Sequence, residues 1–277
     1  MRKRKPFIFV LLILSSIPLV SCGSGSEAVD HPPQEIIKLH APDQKDGMEM
    51  VYVSEGEFLM GSLKNDRNAN ANEKKQRGVY LDAFWIDQTE VTNAQYAMCV
   101  SDGDCSAPTD EEDYRKNDMS NHPVVFVSWY DASSYCAWAG RRLPTEAEWE
   151  KAARGIYASR FPWGEDISCD NTNYNDCRDF VSTAPVGYYA ETGSSIYGVY
   201  DMAGNVWEWT QDWYQDDFYS LAGDENPVNI NSESGLRVLR GGSWNSYSDY
   251  LRSAHRDARK TDNSSEYIGI RCVLPQE

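Results

Sequence analysis

The chain has 277 residues, with 26 Lys and Arg against 43 Asp and Glu, for a formal net charge of −17 at pH 7. A chain this acidic repels phosphate backbones, and no Lys/Arg-rich patch interrupts its body, so nucleic acid is excluded as a partner. Hydrophobic residues at 41% and nine Trp suffice for a globular core rich in aromatic rings.

Residues 1–21, MRKRKPFIFVLLILSSIPLVS, begin with a basic run from Arg2 to Lys5. The apolar stretch that follows is shorter than the roughly 20 residues a membrane span needs, which is the layout of a secretory signal. Its end, Leu19-Val20-Ser21-Cys22, resembles the lipobox of bacterial lipoproteins. That resemblance implies cleavage before Cys22 and lipidation of its thiol, anchoring the protein to a membrane without spanning it. No Asp follows Cys22, so the expected location is the cell envelope, on the outer membrane where the cell has one, facing periplasm or exterior. Loss of residues 1–21 removes four basic residues and no acids, taking the net charge from −17 to −21. Residues 22–46, rich in Ser, Pro and charge without periodicity, read as a flexible tether. Residues 47–277 read as one globular domain.

With Cys22 assigned to lipid, six cysteines remain, and an even number in an exported domain reads as three disulfides. Cys99 and Cys105 bracket VSDGD, and Cys169 and Cys177 bracket DNTNYND, two local staples that leave Cys136 for Cys272. Zinc is the competing use, but no CxxC pair occurs and the only histidines are His31, His40, His122 and His255. Three capping boxes announce short helices. Thr92 with Gln95 opens NAQYAMCV, Ser128 with Asp131 opens WYDASSYCAWA up to Gly140, and Thr145 with Glu148 opens EAEWEKAAR up to Gly155. On the second, Ala132, Cys136 and Ala139 share one face and turn Cys136 to the core. Strand-like runs at 79–87 (VYLDAFWID) and 237–244 (RVLRGGSW), with long Gly/Asn/Asp loops, complete an irregular α+β pattern.

Several stretches together resemble one family: GEFLMGS (56–62), EVTNAQYAMCV (90–100), HPVVFVSWYDASSYCAWAGRRLPTEAEWEKAARG (122–155), FPWGED (161–166), YGVYDMAGNVWEWTQDWY (197–214), RVLRGGSW (237–244) and YIGIRC (267–272). They are similar, in order, to the sulfatase-modifying-factor domain of formylglycine-generating enzymes, a variant of the C-type-lectin-like fold. The resemblance implies oxidation of a cysteine in a Cys-x-Pro-x-Arg segment, by an enzyme whose cysteine pair after GGS binds copper(I). Soft thiolates are what copper(I) requires. Counted from Gly241, the two positions hold Ser246 and Leu251, so copper is not expected and the family chemistry reads as lost. Cys136 and Cys272 match a structural disulfide of the family. A second family disulfide would fall at Ala153 and Arg256, where both halves are missing. The resemblance also implies calcium: one site from Asp201, the carbonyls of Gly204 and Val206, and Glu208. A second would use Asn173, the carbonyls of Tyr174 and Phe180, and Asp179 or Asp176 in place of a carboxylate that aligns with Arg178. Hard oxygen donors around a glycine turn suit that ion. A related iron-dependent branch needs a His cluster in a separate helical domain, which this sequence does not contain.

The reading that results is a membrane-anchored recognition module without catalysis, binding a protein or small-molecule ligand. Residues 245–250, NSYSDY, have the Tyr/Ser/Asn make-up of adaptable binding loops, and some lipoproteins diversified by retroelements use this segment as a variable face. The candidate face is Ser243, Trp244, Asn245, Ser246, Tyr247, Asp249, Tyr250, Arg252, His255 and Arg256. Arg252, Arg256, Arg259 and Arg271 are also expected to pair with the abundant acids, and Trp207, Trp209 and Trp213 to be core rather than sugar platform. The alternatives are an enzyme that modifies exported proteins with an altered site, and a structural envelope component.

Overall fold

Three side-chain hydroxyls start the three long helices. Thr92, Ser128 and Thr145 each accept the N–H three residues on, while Gln95, Asp131 and Glu148 return to the cap N–H. They open α1 (Asn93–Asp102), α2 (Trp129–Trp138) and α3 (Glu146–Arg154). Gly103 and Gly155, at φ 86° and 63°, end α1 and α3 as only glycine does without strain. Every residue of α3 is buried, so its three glutamates, Lys151 and Arg154 must find partners inside the protein. The computed structural model that shows this describes residues 44–177 and 179–276. The secretory signal, Cys22, most of the tether and Arg178 lie outside the described residues.

β1 (Met50–Val53) and β9 (Val273–Pro275) flank β4 (Phe84–Asp87) in an antiparallel sheet, so both ends of the domain meet on one strand. β2 (Gly56–Met60) pairs with β3 (Arg77–Leu81) in a separate ladder. The run 79–87 is thus two strands rather than one, broken at Asp82-Ala83. Asn226 clamps the corner: its Oδ1 accepts the Asp82 N–H at 3.0 Å and its Nδ2 donates to Asp82 Oδ2 at 2.9 Å.

β5 (Trp207–Trp213), β6 (Leu236–Arg240), β7 (Asp257–Lys260) and β8 (Ile268–Gly269) form the largest sheet, in order β7-β6-β5-β8. The expected strand over 237–244 stops at Arg240. Gly241 and Gly242 take φ of 96° and 79°, and a Cβ on Gly242 would lie 2.9 Å from Leu251 Cδ1. Between sheet and helices, Trp149 and Trp209 are fully buried in two apolar clusters. Each such ring removes about 150–250 Å² from water.

All three disulfides form as paired from the sequence: Cys99–Cys105, Cys136–Cys272 and Cys169–Cys177. Ala132, Cys136 and Ala139 are buried together, as their shared face requires. The end of the expected tether is already packed: Lys45 pairs with Asp102, and the Asp46 carboxylate accepts Tyr135 Oη–H at 2.5 Å and pairs with Arg141. Arg141 also reaches Asp87 at 2.6 Å.

Burial raises the pKa of Asp87 to about 7, against the opposing charge of Arg141. Burial does the same at Asp212, helped by the charge of Glu146. Both aspartates therefore hold protons in the folded state at a pH where the unfolded chain has released them. Stability contributed this way is complete below the unfolded value near pH 4 and is lost as pH rises to about 7, at about 1.4 kcal/mol per unit per group. The melting temperature is expected to fall over that window and to fall less in an Asp212→Asn variant. A melting temperature that rises from pH 4.5 to 7 contradicts this assignment.

Candidate functional site

The two left-handed glycines lift the chain off β6 into residues 243–256, and backbone bonds fix its path. Trp244 N–H donates to the Asn205 carbonyl at 2.8 Å and Ser246 N–H to the Ser243 carbonyl at 2.9 Å. The Ser243 and Ser246 hydroxyls sit 3.1 Å apart, and Ser243 N–H donates to Ser246 Oγ at 3.0 Å. Ser248–Leu251 is a 3-10 turn that drives Leu251, fully buried, into a small apolar cluster with Phe161, Tyr174, Cys177 and Ala203. Ser246 and Leu251 therefore present no pair of soft donors to solvent.

The ten candidate face residues divide sharply. Tyr247 and Tyr250 are 64% and 44% exposed. Asn245 and Asp249 are exposed too, and Trp244 and Ser246 are half-buried. Trp244 tilts against Tyr267 at 5.1 Å. Ser243, Arg252, His255 and Arg256 are buried instead, which corrects their placement on the face. Arg252 donates to both oxygens of Glu73 at 2.5 and 2.9 Å, and His255 Nδ1 lies 3.3 Å from the same carboxylate. Arg256 grips Glu146 at 2.6 and 2.9 Å. A guanidinium leaves water only when a carboxylate compensates it, and here two acids distant in sequence do so. Burial pushes the Glu73 carboxyl up, but hydrogen bonds from His255 and Arg252 outweigh it and bring its pKa to about 2. Glu73 is a residue that local pattern did not mark. The expectation that Arg252, Arg256, Arg259 and Arg271 pair with acids is met in all four.

Beside Trp244 a small cleft opens between Asn93, Asp113, Phe126, Thr183 and Glu266. Phe126 holds a φ of 59° on its wall, a conformation an aromatic residue keeps only where the surroundings enforce it. Thr183 Oγ lies 3.0 Å from His122 Nδ1. Two aromatic rings, a hydroxyl and two carboxylates line this cleft.

Behind Trp244 lies the glycine turn 201–206. Asp201 and Asn205 take φ of 58° and 56°, which Asp and Asn tolerate better than other side chains. A Cβ on Gly204 would lie 2.4 Å from the Asn173 carbonyl oxygen. Asp201 accepts the Gly187 N–H at 2.6 Å. The structure adds Glu90, which in the sequence stands only as the first residue of the family stretch EVTNAQYAMCV. Asn205 Nδ2 donates to Glu90 Oε1 at 3.0 Å, while the buried Oε2 has no hydrogen-bond partner. Burial and then the neighbouring Asp201 push the Glu90 carboxyl well above its ordinary range, and burial raises Asp201 as well. Glu90 and Asp201 lie close enough to hydrogen-bond each other, so a shared proton satisfies the pair, and a hard divalent cation is the other species that would. Glu208 is otherwise engaged: Arg271 donates to both its oxygens at 2.8 and 2.9 Å and Trp149 Nε1–H to Oε2 at 2.6 Å. Among the described residues no three His, Cys, Asp or Glu side chains are grouped as a metal shell. A cation at this turn would have Glu90 and Asp201 as its carboxylates. For the second expected site, Asn173 is buried with its Nδ2 on the Ser182 carbonyl at 2.8 Å and Tyr174 is buried. Asp179 is exposed, and Phe180 stands edge-on to Tyr188.

These short strands, disulfide-tied loops and the double-glycine exit define a C-type-lectin-like domain of the sulfatase-modifying-factor type. The chain belongs to the family of sulfatase-modifying factor enzyme 1-like domains, whose model matches residues 37–275. It is 34% identical to the formylglycine-generating enzyme of Streptomyces coelicolor, over 79% of this chain and 86% of that one. It is 38% identical to the serine/threonine-protein kinase Pkn1 of Chlamydia trachomatis, over 94% of this chain and 42% of that protein. The chain thus spans less than half the length of the kinase-named relatives it matches. Among solved structures, PvdO from Pseudomonas aeruginosa superposes with a TM-score of 0.74 at 26% identity, covering 85% of this chain and 97% of that one. Treponema denticola variable protein 1 shares the fold, with a TM-score of 0.66 at 23% identity over 82% and 95% of the two chains.

Proposed function

We propose that this protein is an envelope-anchored recognition module built on the formylglycine-generating-enzyme scaffold, holding its ligand on Trp244, Asn245, Ser246, Tyr247, Asp249 and Tyr250 and performing no oxidation. The observation that carries this is the fate of the two copper positions. Ser246 bonds back to Ser243, and Leu251 fills an apolar cluster. Neither residue offers the thiolate that copper(I) needs. Around them an exposed Tyr/Asn/Asp edge stands on a rigid base of buried ion pairs, the preorganisation that lowers the entropy cost of binding. Calcium belongs to this reading as a brace: Glu90 and Asp201 would hold it, and Asn205 links that turn to Trp244 by the 2.8 Å backbone bond. Lipid on Cys22 supplies the anchor, so a Cys22→Ala variant is released from membranes on fractionation while the wild type is retained. Equal retention of both removes the anchor from the reading.

The deciding experiment incubates the full chain with copper(I), oxygen and a Cys-x-Pro-x-Arg peptide, beside an active formylglycine-generating enzyme. Mass spectrometry is expected to show unmodified peptide. An aldehyde product would establish catalysis without the thiolate pair and overturn the proposal.

A further inference from the structure

Trp213, Arg237 and Arg259 are register partners across β5, β6 and β7, so their side chains leave one face of the largest sheet. Trp129, at the start of α2, closes over the same spot. The Arg237 guanidinium carbon lies 3.8 Å from the Trp129 ring centre and 3.6 Å from that of Trp213, one indole on each side. Both indoles therefore lie in van der Waals contact with the guanidinium and take up much of its surface. Nη1 donates to the Gln211 carbonyl and Nε is sealed from solvent without a partner, which leaves Nη2 as the open donor. Asp212, next along β5, engages elsewhere, accepting the N–H groups of Glu146 and Asn229 at 2.8 Å.

Arg237 is an exception within this protein. Every other arginine withdrawn from solvent among the described residues meets a carboxylate within 4.0 Å. Carboxylates outnumber basic groups by 43 to 26, so acids were abundant, yet none contacts this cation within 4.0 Å, and the nearest charge acting on it is that of Asp212. Tyr130, 57% exposed, meets Trp129 edge-on at 5.6 Å and forms the outer rim. Trp213, expected to be core, is only half-buried. A guanidinium tip held against two indoles, with an open Nη2 and no carboxylate in contact, is a receptor for a carboxylate. The open tyrosine ring beside it offers a surface on which the C–H face of a sugar packs.

We infer that Trp129, Tyr130, Trp213 and Arg237 form a binding site for a carboxylate-bearing sugar, a uronate in its simplest form. The carboxylate lies in the guanidinium plane and the sugar ring lies toward Tyr130. This site uses none of residues 243–256, so it stands whether or not that segment binds a ligand.

The test follows the indole N–H resonances of the full chain, oxidised and labelled on nitrogen-15, during titration with glucuronate, with glucose and with glucuronate methyl ester. Glucuronate is expected to shift the Trp129 and Trp213 signals saturably, and the two neutral sugars to bind at least ten-fold more weakly. Arg237→Gln is expected to weaken glucuronate at least ten-fold. Tyr130→Ala, at an exposed position that tests the rim without touching the core, is expected to weaken it several-fold. Arg237→Lys keeps the charge but loses the fork, and is expected to bind no better than Arg237→Gln. Indole shifts equal for glucuronate and glucose, or no saturable shift at all, overturn the assignment. So does glucuronate affinity unchanged in a folded Arg237→Gln or Tyr130→Ala protein.

Discussion

Replacing Cys136 and Cys272 together by alanine is expected to cost about 4–5 kcal/mol of unfolding free energy. The bridge spans 136 residues, nearly the whole stretch between α2 and the last strand, and loop-closure entropy lost from the unfolded chain grows with the logarithm of that span. The two other disulfides span 6 and 8 residues, and the same relation gives about 2 kcal/mol for each. The native surroundings amplify the difference. Cys272 N–H donates to Asp87 Oδ2 at 2.8 Å, and Asp87 is one of the two acids that hold Arg141. The neighbouring residue Val273 exchanges backbone bonds with Arg142 at 2.7 and 2.9 Å. The bridge therefore secures β9 where the start and end of the domain meet. Urea unfolding of the wild type and of the three double-alanine variants measures this directly. Equal losses for the long bridge and the two short ones would show that the C-terminal strand is held by its hydrogen bonds and ion pairs alone.

What the sequence disclosed and what it withheld divide by the range of the interaction. The three capping boxes lie within four residues each, so Thr92, Ser128 and Thr145 could be placed before any fold was known. The cysteine pairing followed from counting, because two pairs bracket short loops and leave one remainder. The break at Asp82 depends on Asn226, 144 residues away, and no periodicity in VYLDAFWID announces it. Arg252 and Arg256 read equally well as ligand contacts and as buried cations. The choice is made by Glu73 and Glu146, 179 and 110 residues distant. Glu90 was hidden in a different way: it stands two residues before the Thr92 cap, where helix entry already explains a polar residue. Its meaning emerges only from Asp201 and Asn205 packing against it.

The same cluster sets the second large effect, at Arg271. This side chain is fully buried and all three of its nitrogens donate. Nε and Nη2 reach Glu208 at 2.9 and 2.8 Å, Nη1 the Asp87 carbonyl at 2.8 Å, and Nη2 also the Tyr200 carbonyl at 2.9 Å. Its charge faces not one acid but three, since Glu90 and Asp201 lie within its field as well as Glu208. An Arg271→Met variant keeps most of the volume and removes the only cation of the group among the described residues. It leaves three buried carboxylates and two buried carbonyls uncompensated, an expected loss of about 3–5 kcal/mol. Two conditions should recover part of that loss. Without the Arg271 charge, which holds them down, Glu90 and Asp201 take up protons more readily still, so the deficit against wild type shrinks with acid rather than growing. If calcium is held as proposed, it would replace the missing positive charge at Glu90 and Asp201, and so should raise the melting temperature of the variant more than that of the wild type. An uncharged Glu90→Gln change should blunt that calcium response in both backgrounds. Were the deficit instead constant from pH 5 to 8 and indifferent to calcium, Arg271 would be acting through shape and its carbonyl bonds, and the acids would already be neutral in the native protein.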